Sequence, residues 1–127
     1  MRVLIVQSRD AIASIWQRHM ERNGMDVDVV KSGEKAMLAI SLHDYDVIVA
    51  DLVLGNKNDG DSGLPVADYA RYRRPNAKVI FVTDTSFFSD GSIFALAPNA
   101  RAFVQTETPP EDLTAMVAHF GGAGAAA

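Results

Sequence analysis

Three stretches of the chain are apolar almost from end to end: "VLIV" at 3–6, "VIVA" at 47–50 and "KVIFV" at 78–82. A strand with one face in water alternates apolar and polar residues, whereas a strand covered on both faces does not. Each run is of strand length and too short for a helix. A chain built on such strands needs apolar helices on both sides of its sheet, and the intervening sequence supplies them. Ile12, Ile15, Trp16 and Met20 recur at helical spacing, with Ser8 or Asp10 as a cap and Gly24 as a stop. "VDVV" at 27–30 reads as a second strand, and Ser32 caps a helix carrying Ala36, Met37, Ala39 and Ile40. Pro65 marks a helix start, with Val66, Tyr69 and Ala70 behind it.

After the strand at 78–82 the pattern weakens. Residues 87–97 read as a poor fourth helix, interrupted by Gly91 and ended by Pro98, with Phe87, Phe88 and Phe94 as core or as an apolar partner patch. "AFV" at 102–104 is a short fifth strand. "TPPED" from Thr108 then opens a helix on which Leu113, Met116, Val117 and Phe120 fall at i, i+3, i+4 and i+7. Strand and helix alternate throughout, which predicts an α/β doubly wound, five-stranded parallel sheet in a three-layer sandwich.

With 127 residues and 48% hydrophobic content the chain makes one domain, expected over 1–120, with "GGAGAAA" at 121–127 as a flexible tail. A net charge of −4 with no basic run argues against nucleic acid, and the absence of cysteine excludes thiol chemistry and disulfides. No apolar run reaches membrane-spanning length, so a soluble cytoplasmic protein is expected, with no membrane partner. His19, His43 and His119 have no acidic or cysteine cluster at ligand spacing, and no metal site is predicted from them.

In open α/β sheets, chemistry sits at the carboxyl ends of the strands, near the point where strand order reverses. Gln7 and Ser8 end the first strand, Asp51 the third, Thr83 the fourth and Thr106 follows the fifth. Asp51 is either a strand-end turn residue or a reactive carboxylate at the mouth of the sheet.

These segments, in order, resemble the receiver domain of bacterial two-component response regulators, a flavodoxin-like fold with strand order 2-1-3-4-5. "HDYDVIVADLVL" is similar to the segment ending in the phosphoacceptor aspartate, which places that role on Asp51. "KVIFVT" resembles the strand ending in the switch threonine, hence Thr83, and "AFVQTETPPEDL" places the switch aromatic on Phe103. The departures are equally clear. Where the family has an acidic pair that holds Mg²⁺, this chain has Gln7 and Ser8; where it has lysine and proline, this chain has Thr106 and Glu107. The loop 55–63, "GNKNDGDSG", is longer than usual.

The resemblance thus implies an atypical, single-domain response regulator with a degenerate site and no enzymatic activity or catalytic residue of its own. Mg²⁺ relies on carboxylates and dehydrates reluctantly, so binding is expected to be weak or absent, unless Asp59 or Asp61 supplies a ligand. Phosphorylation, which depends on charge neutralisation around the transferred group, is expected to be weak or absent too. The implied partners are a histidine kinase, a phosphotransfer protein or a downstream effector, met through the face of the fourth helix, fifth strand and fifth helix. Two alternatives are a working phosphoacceptor in a histidine–aspartate phosphorelay and a small flavodoxin-like cofactor-binding protein. "QSRDA" after the first strand lacks a phosphate-binding loop, which counts against the latter.

Overall fold

The computed structural model describes residues 1–55, 61–84 and 97–123, without the side chain of residue 123. Five parallel strands form the sheet: β1 (Arg2–Val6), β2 (Asp26–Val30), β3 (Val47–Asp51), β4 (Lys78–Thr83) and β5 (Ala100–Gln105). Their order is β2-β1-β3-β4-β5, the doubly wound arrangement expected from the sequence. Among the described residues four α-helices accompany them: α1 (Asp10–Arg22), α2 (Gly33–Leu42), α3 (Gly63–Arg73) and α4 (Pro110–Ala118). The fourth helix expected over 87–97, with its phenylalanines, lies outside the described residues except at Ala97.

The all-apolar strands are buried on both faces. Leu4, Val6, Ile48, Ala50, Val79 and Phe81 pack with Ala36 and Ile40 of α2 and with Val66, Ala67 and Ala70 of α3. Their neighbours Val3, Ile5, Val47, Val49, Ile80 and Val82 pack on the other side with Trp16 and Met20 of α1 and Leu113 and Val117 of α4. Alternate side chains of β1, β3 and β4 therefore feed two cores, which is why the interiors of these three strands are apolar throughout.

Helix ends follow the sequence in part. Ser32 Oγ accepts from the backbone N–H of Lys35, as a helix cap should. Gly24 adopts φ +82° just after α1, a conformation glycine reaches without steric cost. Two caps differ from expectation. Arg9, and not Ser8 or Asp10, stands at the cap position of α1 and offers no side-chain cap; Asp10 lies in the first turn and pairs with Lys31 at 2.7 Å. Pro65 sits inside the first turn of α3, where its missing N–H costs nothing, and Ser62 makes the cap. Ile15 also departs from its stripe, being 45% exposed. β5 runs longer than "AFV", with a bulge that absorbs Arg101 between the pairs Val79–Ala100 and Ile80–Ala102. The domain boundary expected at 120 falls within a final π-helical turn, His119–Ala123.

Candidate functional site

The carboxyl ends of β1, β3, β4 and β5 converge as the topology requires. Leu52 N–H donates to Val82 O at 2.9 Å, joining the chain after β3 to β4, and Thr106 N–H donates to Thr83 O at 2.9 Å, joining the chain after β5 to β4. At this edge Asp51 is 2% exposed, Gln7 fully buried and Thr83 4% exposed.

The Asp51 carboxylate accepts three hydrogen bonds from the protein. Val53 N–H donates to Oδ1 at 3.0 Å. Gln7 Nε2 donates to Oδ2 at 2.9 Å, and Arg9 Nη2 donates to the same oxygen at 3.1 Å. Gln7 is itself fixed, because its Oε1 accepts from the backbone N–H of Arg9 at 3.1 Å. A carboxylate can only accept, so the amide nitrogen of Gln7 must face Asp51. Ser8, the other residue at the expected acidic pair, adds no hydrogen bond to the carboxylate.

Arg9 is the functional residue that sequence reasoning missed. Its guanidinium also takes Asp84, just past β4, in a fork: Nη1 to Oδ2 at 3.2 Å and Nη2 to Oδ1 at 3.3 Å. One cation thus joins a buried carboxylate at the end of β3 to an exposed one after β4. Burial would lower the pKa of Arg9, but its hydrogen bonds to Asp84 and Asp51 outweigh that and raise it above the ordinary value. The signal in the sequence was a base two residues after the position where acids are expected.

Magnesium is a poor chemical fit to this arrangement. A site for it needs carboxylates turned towards one point. Here the groups facing Asp51 Oδ2 are an amide N–H₂ and a guanidinium, both donors. Among the described residues no group of three or more histidine, aspartate or glutamate side chains could hold a metal ion. Asp61, the one described acid of the long loop weighed as a ligand, is committed elsewhere: its Oδ2 accepts from Gly33 N–H at 3.0 Å and its Oδ1 from Ser62 N–H at 3.0 Å. Asp59 lies outside the described residues.

Two glycines allow this packing. A Cβ on Gly33 would lie 2.6 Å from Asp61 Oδ1, and one on Gly63 would lie 2.6 Å from the backbone oxygen of Asp51. The loop after Asp51 is thereby pinned to α2, and the start of α3 is pressed against the end of β3. Thr106 falls beside the site through its backbone bond to Thr83, but its Oγ1 is buried without a hydrogen-bond partner. The hydroxyl supplies no cation and no bond to Asp51. Phe103 lies half-buried on β5, paired in register with Phe81.

Sheet order and a buried aspartate at the carboxyl edge define a receiver-type, flavodoxin-like domain. The chain matches the response regulator receiver domain over residues 3–118, and it belongs to that family, the receiver module of two-component signalling. The response regulator receiver domain protein (CheY-like) from Methanospirillum hungatei JF-1 has a similar structure, with a TM-score of 0.81 at 24% identity over 93% of this chain and 90% of that one. The response regulator TrrA from Thermotoga maritima, solved in complex with Mg²⁺ and BeF, gives a TM-score of 0.79 at 24% identity over 94% and 97% of the two chains. At that identity both speak to the fold alone. The transcriptional regulatory protein CutR of Streptomyces coelicolor is 41% identical over 51 residues, 40% of this chain and 24% of CutR; the CutR of Streptomyces lividans matches equally. The match therefore spans about a quarter of the curated relatives' length. No helix among the described residues is long and apolar enough to cross a membrane.

Proposed function

We propose that this receiver domain works without a metal and signals by protein–protein contact, with phosphorylation of Asp51 weak or absent. The observation that carries the reading is the double donation of Gln7 and Arg9 into Asp51 Oδ2. A nucleophilic carboxylate oxygen needs an accessible lone pair, and Asp51 is buried with two of the chain's own donors on Oδ2 and one on Oδ1. Phosphoryl transfer depends on positioning and on neutralising the transferred group's oxygens. The side chain at the lysine position, Thr106, offers no charge for that task, and removing one preorganised stabilising donor can cost about 10²–10³ in rate.

A module that does not need the covalent switch binds its partner through a standing surface. We assign the output to the face of β5 and α4, together with the segment between β4 and β5, and the partner to a kinase, phosphotransfer protein or effector of a two-component pathway. Phe103, a partly buried aromatic on the edge strand β5, supports this choice. The domain is a signalling module with no enzymatic chemistry of its own, acting in the cytoplasm.

Incubation with acetyl phosphate and with histidine kinases, using Asp51→Asn as the blank, tests the reading. Labelling no faster than in Asp51→Asn, with partner affinity unchanged by that substitution, is expected. Rapid labelling together with a more than roughly tenfold affinity change, about 1.4 kcal/mol, would place Asp51 in a working histidine–aspartate phosphorelay instead.

A further inference from the structure

Arg9 does more than fill the place of a metal. Its guanidinium is shared between two carboxylates on different strand ends, and the sharing is unequal in setting. Asp51 is buried and fixed by Gln7 and Val53, whereas the Asp84 side chain is 61% exposed. Asp84 directly follows Thr83 and opens the segment that leads away from β4. The same Nη2 serves Asp51 at 3.1 Å and Asp84 at 3.3 Å. One donor nitrogen divided between two acceptors gives each less than it would give either alone, so a change of charge on one carboxylate changes the hold on the other.

We propose that Arg9 is a positioning residue that relays the charge state of Asp51 to Asp84, and through Asp84 to the chain leaving β4. With Asp51 anionic, the guanidinium is divided between the two strand ends. Neutralising Asp51 frees the fork to settle on Asp84; adding negative charge at Asp51 draws the fork inward and weakens Arg9's share of the hold on Asp84. This route runs through a side chain of the loop after β1, separate from Thr83 and Phe103, and uses no metal. It explains why the site keeps a buried aspartate beside two donors, where an apolar residue would pack with less desolvation cost. Because coupling between sites is reciprocal, a change at Asp84 must also be felt at Asp51.

The proposal deepens the metal-free reading and rests on it only in taking Arg9 as the site's cation; labelling of Asp51 tests that reading, and either can fail alone. The test is a cycle of variants in the full chain, read by backbone amide NMR. Asp51→Asn should shift the Asp84 amide, and Asp84→Asn should shift the Val53 amide, whose N–H donates to Asp51. In an Arg9→Gln background both cross-shifts should fall by more than half. Arg9 is half-exposed, so the variant should fold; should it not, Arg9→Lys keeps the charge but loses the fork and serves the same cycle with the same expected fall. Cross-shifts absent from the Arg9 background, or surviving its replacement by more than half, would overturn the relay. In the latter case the coupling runs through the β3–β4 ladder and not through Arg9.

Discussion

Among the clusters that pair a carboxylate with an arginine, those at Asp28 and at Asp51 behave differently. Near the open edge of the sheet, Asp28 on β2 accepts from Tyr45 Oη at 2.7 Å and from Arg2 Nη2 at 3.1 Å, with Arg2 lying over the Tyr45 ring at 5.5 Å. At the carboxyl edge, Asp51 accepts from Gln7 and Arg9 at similar distances. The Asp28 side chain is 41% exposed and the Asp51 side chain 3% exposed. Water can replace any lost partner of Asp28, whereas Asp51 depends on the protein for each bond. Contact chemistry alone therefore does not make a site. Burial at the convergence of strand ends, with one cation reaching a second element, does.

The sharpest way to break this comparison is to put a like charge at the buried end. Gln7→Asp replaces a donor to Asp51 with a carboxylate, and two like charges about 4 Å apart cost about 1–4 kcal/mol between aqueous and protein-surface dielectrics. With Gln7 fully buried, the upper half of that range is expected in urea denaturation, and added Mg²⁺ should restore part of it by binding the native state. A melt unchanged from wild type would mean that Asp51 is better solvated than its burial implies.

Removing the arginines comes next. Arg9→Gln leaves a buried carboxylate short of its cation and should cost about 1–2 kcal/mol, below the 3–5 of a fully buried pair because Arg9 is half-exposed. Arg2→Gln at an exposed pair should cost less than about 1 kcal/mol. Equal losses in parallel denaturation curves would erase the distinction between the two clusters.

Tyr45→Phe should cost about 1 kcal/mol for one hydrogen bond, less than Arg9→Gln. The Tyr45 bond is the main reason the Asp28 pKa lies below its ordinary value, with Arg2 adding to it against desolvation. A lowered carboxylate pKa contributes stability above the unfolded value of 3.8, and this is lost as pH falls through the folded value. In Tyr45→Phe the Asp28 carboxyl should titrate at higher pH, and the acid limb of the stability curve should flatten. Tyr45 itself is pushed well above its ordinary value by burial and by Asp28, so its share is present below pH 10 and lost only as alkali ionises the folded tyrosine. An unmoved Asp28 titration would assign its shift to Arg2.

The sequence was most informative where one physical rule decided the outcome. Runs such as "VIVA" admit few environments other than the inside of a covered parallel sheet, so the sheet and the place of Asp51 at its edge followed from them, whereas the strand order came with the family resemblance. Gln7 was recognisable as a departure, but its role was not, because a turn glutamine and a buried donor look alike in sequence. Arg9 and Asp84 were invisible for another reason. They lie 75 residues apart and meet only because β1 and β4 both flank β3. Side-chain reach across strand ends leaves no periodicity to read. The bond from Gly33 to Asp61 was hidden for the same reason, since Gly33 lies 28 residues away at the start of α2.

In the metal-free reading proposed above, Gln7 and Arg9 stand where a metal would act on Asp51. A Mg²⁺ titration of the wild-type protein, followed through the amides of Asp51, Val53 and Asp84, tests it most directly. Small, linear, non-saturating shifts through about 10 mM, roughly tenfold beyond the weak extreme of about 1 mM for oxygen-ligand Ca²⁺ sites, are the predicted result. Saturable shifts confined to those three amides below about 1 mM would contradict the account and show that the carboxyl edge assembles a magnesium site despite its arginine.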